Sequence, residues 1–108
     1  MPLNNNLLIL SIKMNFSKAT IEGIVVIKPT VINDQRGYFL ESFNKNDFEK
    51  AIGKVSFVQD NESKSSKGVL RGLHYQNPPF AQSKLVRCLE GKVLDIAVDI
   101  RKDSPTYG

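Results

Sequence analysis

Apolar positions along this chain fall in short runs broken by turn residues, a spacing that predicts strands rather than long helices. Ile24, Val25, Val26 and Ile27 form a compact run ended by Pro29. Residues 33–37 (Asn-Asp-Gln-Arg-Gly) make a polar turn before an aromatic-rich strand at 38–43. The one predicted helix covers about residues 45–52. Asn44 caps it, Phe48, Ala51 and Ile52 share a face, and Gly53 ends it. Strands follow at 55–59, 69–75 and 84–90, interrupted by a polar loop at 62–67 and by Asn77-Pro78-Pro79, which cannot sit inside a ladder. Residues 92–101 alternate most clearly. Leu94, Ile96, Val98 and Ile100 lie on one face, with Val93, Asp95, Ala97, Asp99 and Arg101 on the other. Glu90-Gly91 between two such runs signals a tight hairpin. Many short strands with one minor helix predict an all-β sandwich or barrel.

Bulk properties narrow the partners. At 108 residues the chain fits one small domain with a modest core, and 41% hydrophobic with 24% charged residues is ordinary for a globular protein. The net charge of +4 is spread evenly: seven Lys/Arg stand against five Asp/Glu in residues 1–54, and eight against six in residues 55–108. Nucleic-acid surfaces cluster their positive charge, so no nucleic-acid partner is expected, whereas scattered cations suit an anionic small molecule. Cys88 stands alone in an alternating run. It reads as a buried or half-buried strand residue, without disulfide or zinc spacing, and fits a reducing cytoplasm. The apolar run Leu7-Leu8-Ile9-Leu10 is too short to span a bilayer and lacks the flanks of a signal peptide, so no membrane association is expected.

Candidate chemistry concentrates in residues 68–76, Gly-Val-Leu-Arg-Gly-Leu-His-Tyr-Gln, which contain the only histidine. Imidazole is the side chain that exchanges protons near neutral pH. Arg71 can fork onto phosphate or carboxylate, Gly72 admits a ligand close to the backbone, and Lys84 follows in another strand-like run. Together with Asp34-Gln35-Arg36-Gly37-Tyr38-Phe39, Phe57-Val58-Gln59-Asp60-Asn61, Ala81-Gln82-Ser83-Lys84-Leu85-Val86 and Ser104-Pro105-Thr106, this stretch closely resembles the dTDP-4-dehydrorhamnose 3,5-epimerase family. The resemblance runs from about Met14 to Gly108. Residues 1–13 read as an upstream extension and residues 14–108 as a partial epimerase domain.

The resemblance implies a cupin-type jelly roll, of which this chain would hold about the N-terminal half. Gly68 and His74 match the start of the general cupin pattern, but the position of a second metal-binding histidine is Gln76. No metal or other cofactor is expected. The family inverts the carbons beside the ketone of a dTDP-4-keto-6-deoxy sugar. A hydrogen beside a carbonyl is acidic because the anion spreads onto the oxygen, so the reaction needs a base, a positive group at that oxygen and an acid on the opposite face. By motif position the resemblance implies His74 as the base and Lys84 as the group at the oxygen. It implies Arg36, Glu41, Gln59, Asn61 and Arg71 at the substrate, with Lys84 also in contact. Asp60 shares the Gln59–Asn61 motif and is grouped with these substrate-binding residues. None of Asp60, Asp95 and Asp99 reads as a catalytic acid; partners for Arg and Lys suit them better.

Spacing adds two expectations. A continuing strand puts Gln59 and Asn61 on one face. Arg71 and His74 are three apart and would face opposite ways unless Gly72 marks a bulge, the arrangement expected here. The resemblance also implies a homodimer in which residues 34–41 reach a neighbouring subunit's site.

The chain stops just after Ser-Pro-Thr-Tyr-Gly, whereas family members continue for a comparable length. The remainder would carry the tyrosine acid and an aspartate that orients the histidine; Tyr38, Tyr75 and Tyr107 stand outside that tyrosine's motif. Unpaired strand edges, uncovered apolar faces and little or no epimerase activity are therefore expected of these 108 residues. The competing readings are an epimerase acting at one carbon only and a non-catalytic cupin module that binds a sugar nucleotide.

Overall fold

The computed structural model describes residues 13–108. The chain divides into two compact units, Met1–Lys54 with Val98–Gly108, and Val55–Ala97. The extension read at residues 1–13 lies outside the described residues except for Lys13, whose carbonyl accepts from Thr30 Oγ1 at 2.5 Å.

Among the described residues of the first unit there are two antiparallel hairpins and one helix. β1 (Met14–Lys18) pairs with β2 (Val25–Pro29), Met14 opposite Pro29 and Phe16 opposite Ile27. Phe16 and Ile27 are both half-buried, so the pair lies on the covered face of the ladder while Asn15 and Lys28 face outward. Gly23, at φ +91°, lets the connection close through the Ile24 amide bonded to the Ile21 carbonyl at 3.2 Å. β2 therefore coincides with the apolar run read from sequence. β1 was not anticipated, because its five residues hold only two large apolar side chains and become a strand by pairing with β2.

β3 (Val31–Asp34) and β4 (Gly37–Leu40) are joined by Gln35-Arg36, with Asp34 opposite Gly37. Asp34 holds this turn by accepting from the Arg36 amide at 2.8 Å. The strand read at 38–43 ends at Leu40, because residues 41–44 leave the ladder to enter the helix.

α1 (Lys45–Ala51) forms where its local signals place it. The Asn44 side chain accepts from the Asp47 amide at 3.1 Å, and the Ile52 amide closes the last turn onto Phe48 at 2.8 Å. Gly53 follows at φ +122°. Phe48, 6% exposed, is the buried apolar side chain of the described residues, and the Phe43 ring stands 5.5 Å from it at 53°.

The segment after Val98 is pinned through Asp99, only 4% exposed. Its carboxylate accepts from Arg101 Nε at 2.8 Å, Ser104 Oγ at 2.5 Å and Thr106 Oγ1 at 2.7 Å. Its carbonyl accepts from the Gly108 amide at 2.9 Å, beside a parallel bridge between Asp99 and Tyr107.

The second unit corrects the sequence reading. No strand or helix is formed at 55–59, 69–75, 84–90 or 92–97, and the later half of the 92–101 run contributes only that isolated bridge. Period-two alternation says which side chains share a face, but a strand also needs a second backbone whose N–H and C=O groups meet its own. No such row lies beside these segments among the described residues. Their apolar side chains stay uncovered, with Leu70 89% and Leu94 86% exposed. Cys88, read as buried or half-buried, is likewise exposed; its thiol donates to the Glu90 carbonyl at 3.3 Å. The class itself holds: among the described residues both ladders are antiparallel, and the one helix is short.

Candidate functional site

The turn that precedes Arg71 organises the second unit. The Val69 amide donates to the Ser66 carbonyl at 3.3 Å, and Gly68 takes φ +86°, so the chain reverses within four residues. The reversal sets residues 64 and 65 beside Arg71. Arg71 Nε donates to Ser65 Oγ at 2.9 Å and Nη2 to the Lys64 carbonyl at 3.4 Å. One edge of the guanidinium is thus engaged, and Nη1 makes no hydrogen bond among the described residues.

Gly72, at φ +118°, makes the next change of direction. A Cβ here would lie 3.3 Å from His74 Nδ1 and 3.6 Å from the His74 amide nitrogen. Glycine is needed for both reasons, the positive φ and the imidazole folded back over the backbone. The side chain found close to Gly72 is that of His74. The expected bulge is not formed, since a bulge is an extra residue against a paired strand and 69–75 has no ladder. His74 is exposed and forms no hydrogen bond or ion pair among the described residues; Nδ1 is the ring nitrogen against Gly72.

Lys84 is exposed, its ammonium donating to Gln82 Oε1 at 3.3 Å. With one neutral partner its charge stays available to an anion. Gln59, Asp60 and Asn61 are exposed, and no hydrogen bond joins them to Arg71, His74 or Lys84. The common strand face expected for Gln59 and Asn61 has no ladder to define it.

Arg36 and Glu41 belong to the first unit. Arg36 is bound within its own turn: Nη2 stands 2.6 Å and Nε 3.1 Å from Asp34 Oδ2. This contact holds the Asp34 carboxyl below its ordinary range and raises the Arg36 guanidinium. Glu41 is half-buried just past β4.

Asp99 is the strongly perturbed carboxyl, held far below the usual range first by Arg101, then by the Ser104 and Thr106 hydroxyls. It acts as the structural partner anticipated. These donors hold its carboxylate in the ionised form, as suits a structural partner. Among the described residues no three His, Cys, Asp or Glu side chains are grouped to hold a metal ion, and no helix is long and apolar enough to cross a membrane.

Sequence reading missed two groups. Ser65 was only part of a polar loop, though a serine three residues before Gly68 is where a turn would return it to Arg71. Ser104 and Thr106 were seen as a motif, while their shared carboxylate was not.

A model of the dTDP-4-dehydrorhamnose 3,5-epimerase family matches residues 18–108. A dTDP-4-dehydrorhamnose 3,5-epimerase from Shigella flexneri is 62% identical over 96 residues, covering 88% of this chain and 53% of that protein. The crystal structure of dTDP-4-dehydrorhamnose 3,5-epimerase from Elizabethkingia anophelis NUHP1 aligns with a TM-score of 0.78 at 53% identity, over 87% of this chain and 52% of that one. A dTDP-4-dehydrorhamnose 3-epimerase from Streptomyces niveus is 44% identical over 89 residues, covering 82% of this chain and 43% of that protein. The chain spans about half the length of the curated relatives it matches.

Proposed function

The chain belongs to the dTDP-4-dehydrorhamnose 3,5-epimerase family, and on that premise we propose that it is the N-terminal portion of an enzyme that epimerises a dTDP-4-keto-6-deoxy sugar. Residues 14–108 are its partial catalytic domain, and residues 1–13 precede that domain. His74 is the general base: a lone pair of its imidazole takes the proton from the carbon beside the ketone. The electron pair of that C–H bond forms the carbon–carbon double bond of the enolate, and the charge moves to the oxygen. Lys84 carries the positive charge that stabilises the oxygen. A proton delivered to the opposite face then re-forms the C–H bond with inverted configuration.

Arg71 and Arg36 supply cations for the diphosphate, and Gln59, Asp60, Asn61 and Glu41 supply polar contacts for thymine and sugar. The observation that carries this reading is His74 itself, solvent-reachable and without a hydrogen-bond partner among the described residues, folded over Gly72 three residues from Arg71 in sequence. A base needs an uncommitted lone pair, and a buried packing histidine would have neither the access nor the free nitrogen. The enzyme works in the cytoplasm as a homodimer, needs no metal or other cofactor, and its partner is the sugar nucleotide rather than nucleic acid or membrane.

Solvent deuterium is the test. Incubating the chain with the 4-keto sugar nucleotide in deuterated water should put deuterium beside the ketone, with little or no inversion, because the base is present without the rest of the enzyme. Retention of exchange by His74→Gln, in this chain or in a longer polypeptide that restores inversion at both carbons, would refute His74 as the base. The Streptomyces niveus relative, a 3-epimerase, favours one second reading: label entering at a single carbon would mark this enzyme as a one-centre epimerase.

A further inference from the structure

Arginine binds a diphosphate well only when its fork is already aimed, since an exposed guanidinium otherwise loses side-chain freedom on binding. Arg71 is exposed, yet its guanidinium is held. Ser65 Oγ accepts from Nε at 2.9 Å, and the Lys64 carbonyl accepts from Nη2 at 3.4 Å. The turn closed by the Val69 amide on the Ser66 carbonyl at 3.3 Å sets both acceptors beside the arginine. The Nε edge faces the turn. One Nη1 hydrogen and the second Nη2 hydrogen, which bond to nothing among the described residues, form an end-on fork for two phosphate oxygens.

We propose that Ser65 is a positioning residue for Arg71, fixing the guanidinium so that its Nη1–Nη2 end is presented to the diphosphate of the nucleotide. The proposal rests on reading Arg71 as a diphosphate ligand. Ser65 touches no ligand itself and acts only through Arg71. Alanine removes the hydroxyl acceptor and releases the Nε edge, while threonine keeps the acceptor. Neighbouring Ser66 serves the turn through its main-chain carbonyl, so its side chain has no such role.

Calorimetric titration of the full chain with thymidine diphosphate tests this. Ser65→Ala should weaken binding about five- to tenfold, the scale of one ordinary net hydrogen bond. Ser65→Thr should restore it, and Ser66→Ala should leave it unchanged. Arg71→Ala should weaken binding further, and adding Ser65→Ala to it should change nothing more. If Arg71→Ala weakens binding while Ser65→Ala does not, the positioning role is overturned and the diphosphate role of Arg71 stands. Equal losses from Ser65→Ala with and without Arg71, or from Ser66→Ala, would equally overturn it by showing a general loop effect. If Arg71→Ala leaves binding unchanged, the reading of Arg71 falls and this inference falls with it.

Discussion

Arg101 grips Asp99 along one edge, Nε at 2.8 Å from Oδ1 and Nη2 at 2.9 Å from Oδ2, and Nη2 also reaches the Glu22 carbonyl at 2.9 Å. One guanidinium therefore ties residues far apart in sequence to a buried carboxylate. Ser104 and Thr106 fill the remaining acceptor positions of Asp99, and the Gly108 amide closes on its carbonyl.

This contact sets an acid dependence. The folded-state carboxyl of Asp99 lies below its unfolded value, so its contribution is complete above the unfolded pKa of about 3.9. It is lost progressively as the pH falls from there toward the lower folded value. Thermal unfolding at pH 7, 5 and 3 should show a falling midpoint across the last interval. Asp99→Asn should unfold at lower temperature at pH 7 and lose less between pH 5 and 3. An unchanged acid limb in the variant would show that other carboxyls govern it.

Asn44→Ala removes the side-chain acceptor for the Asp47 amide and should destabilise the fold by about 1 kcal/mol. Asn44→Asp keeps an acceptor and adds a charge favourable at a helix N-terminus, so it should be neutral or stabilising. Urea unfolding followed at 222 nm, the wavelength of helix dichroism, measures both.

Gly72→Ala should be costly twice over. The residue sits at φ +118°, where a side chain costs on the order of 1–3 kcal/mol, and the new methyl carbon would meet His74 Nδ1 at 3.3 Å. The imidazole must move, so deuterium exchange beside the ketone should fall more than thymidine diphosphate affinity. Equal losses in the two assays would indicate general unfolding of the segment instead.

His74→Gln should abolish solvent exchange beside the ketone while leaving thymidine diphosphate affinity within about twofold, since a base contributes to the reaction rather than to nucleotide binding. Lys84→Met keeps the length of the side chain without its charge. It should slow exchange about 10²- to 10³-fold, the range seen when a group stabilising a developing oxyanion is removed. Retention of full exchange by either variant would remove that residue from the mechanism.

What could be read from residue order was local. Helix α1 lay open because Asn44, Phe48 and Gly53 carry its cap, its buried face and its end within ten residues. The Asp34–Gly37 turn and the run ending at Pro29 were equally legible. Tertiary structure decided the rest. Met14–Lys18 became a strand only against Val25–Pro29, whereas the more strongly alternating 92–97 run, with no partner strand among the described residues, formed no ladder. The grip of Arg101 on Asp99 and Glu22, and that of Arg71 on Ser65, likewise depend on chain reversals that bring distant or turn-separated atoms within hydrogen-bonding distance. Capping, turn chemistry and alternation are properties of neighbouring residues, while pairing and hydrogen bonding belong to whichever groups the folded backbone sets side by side.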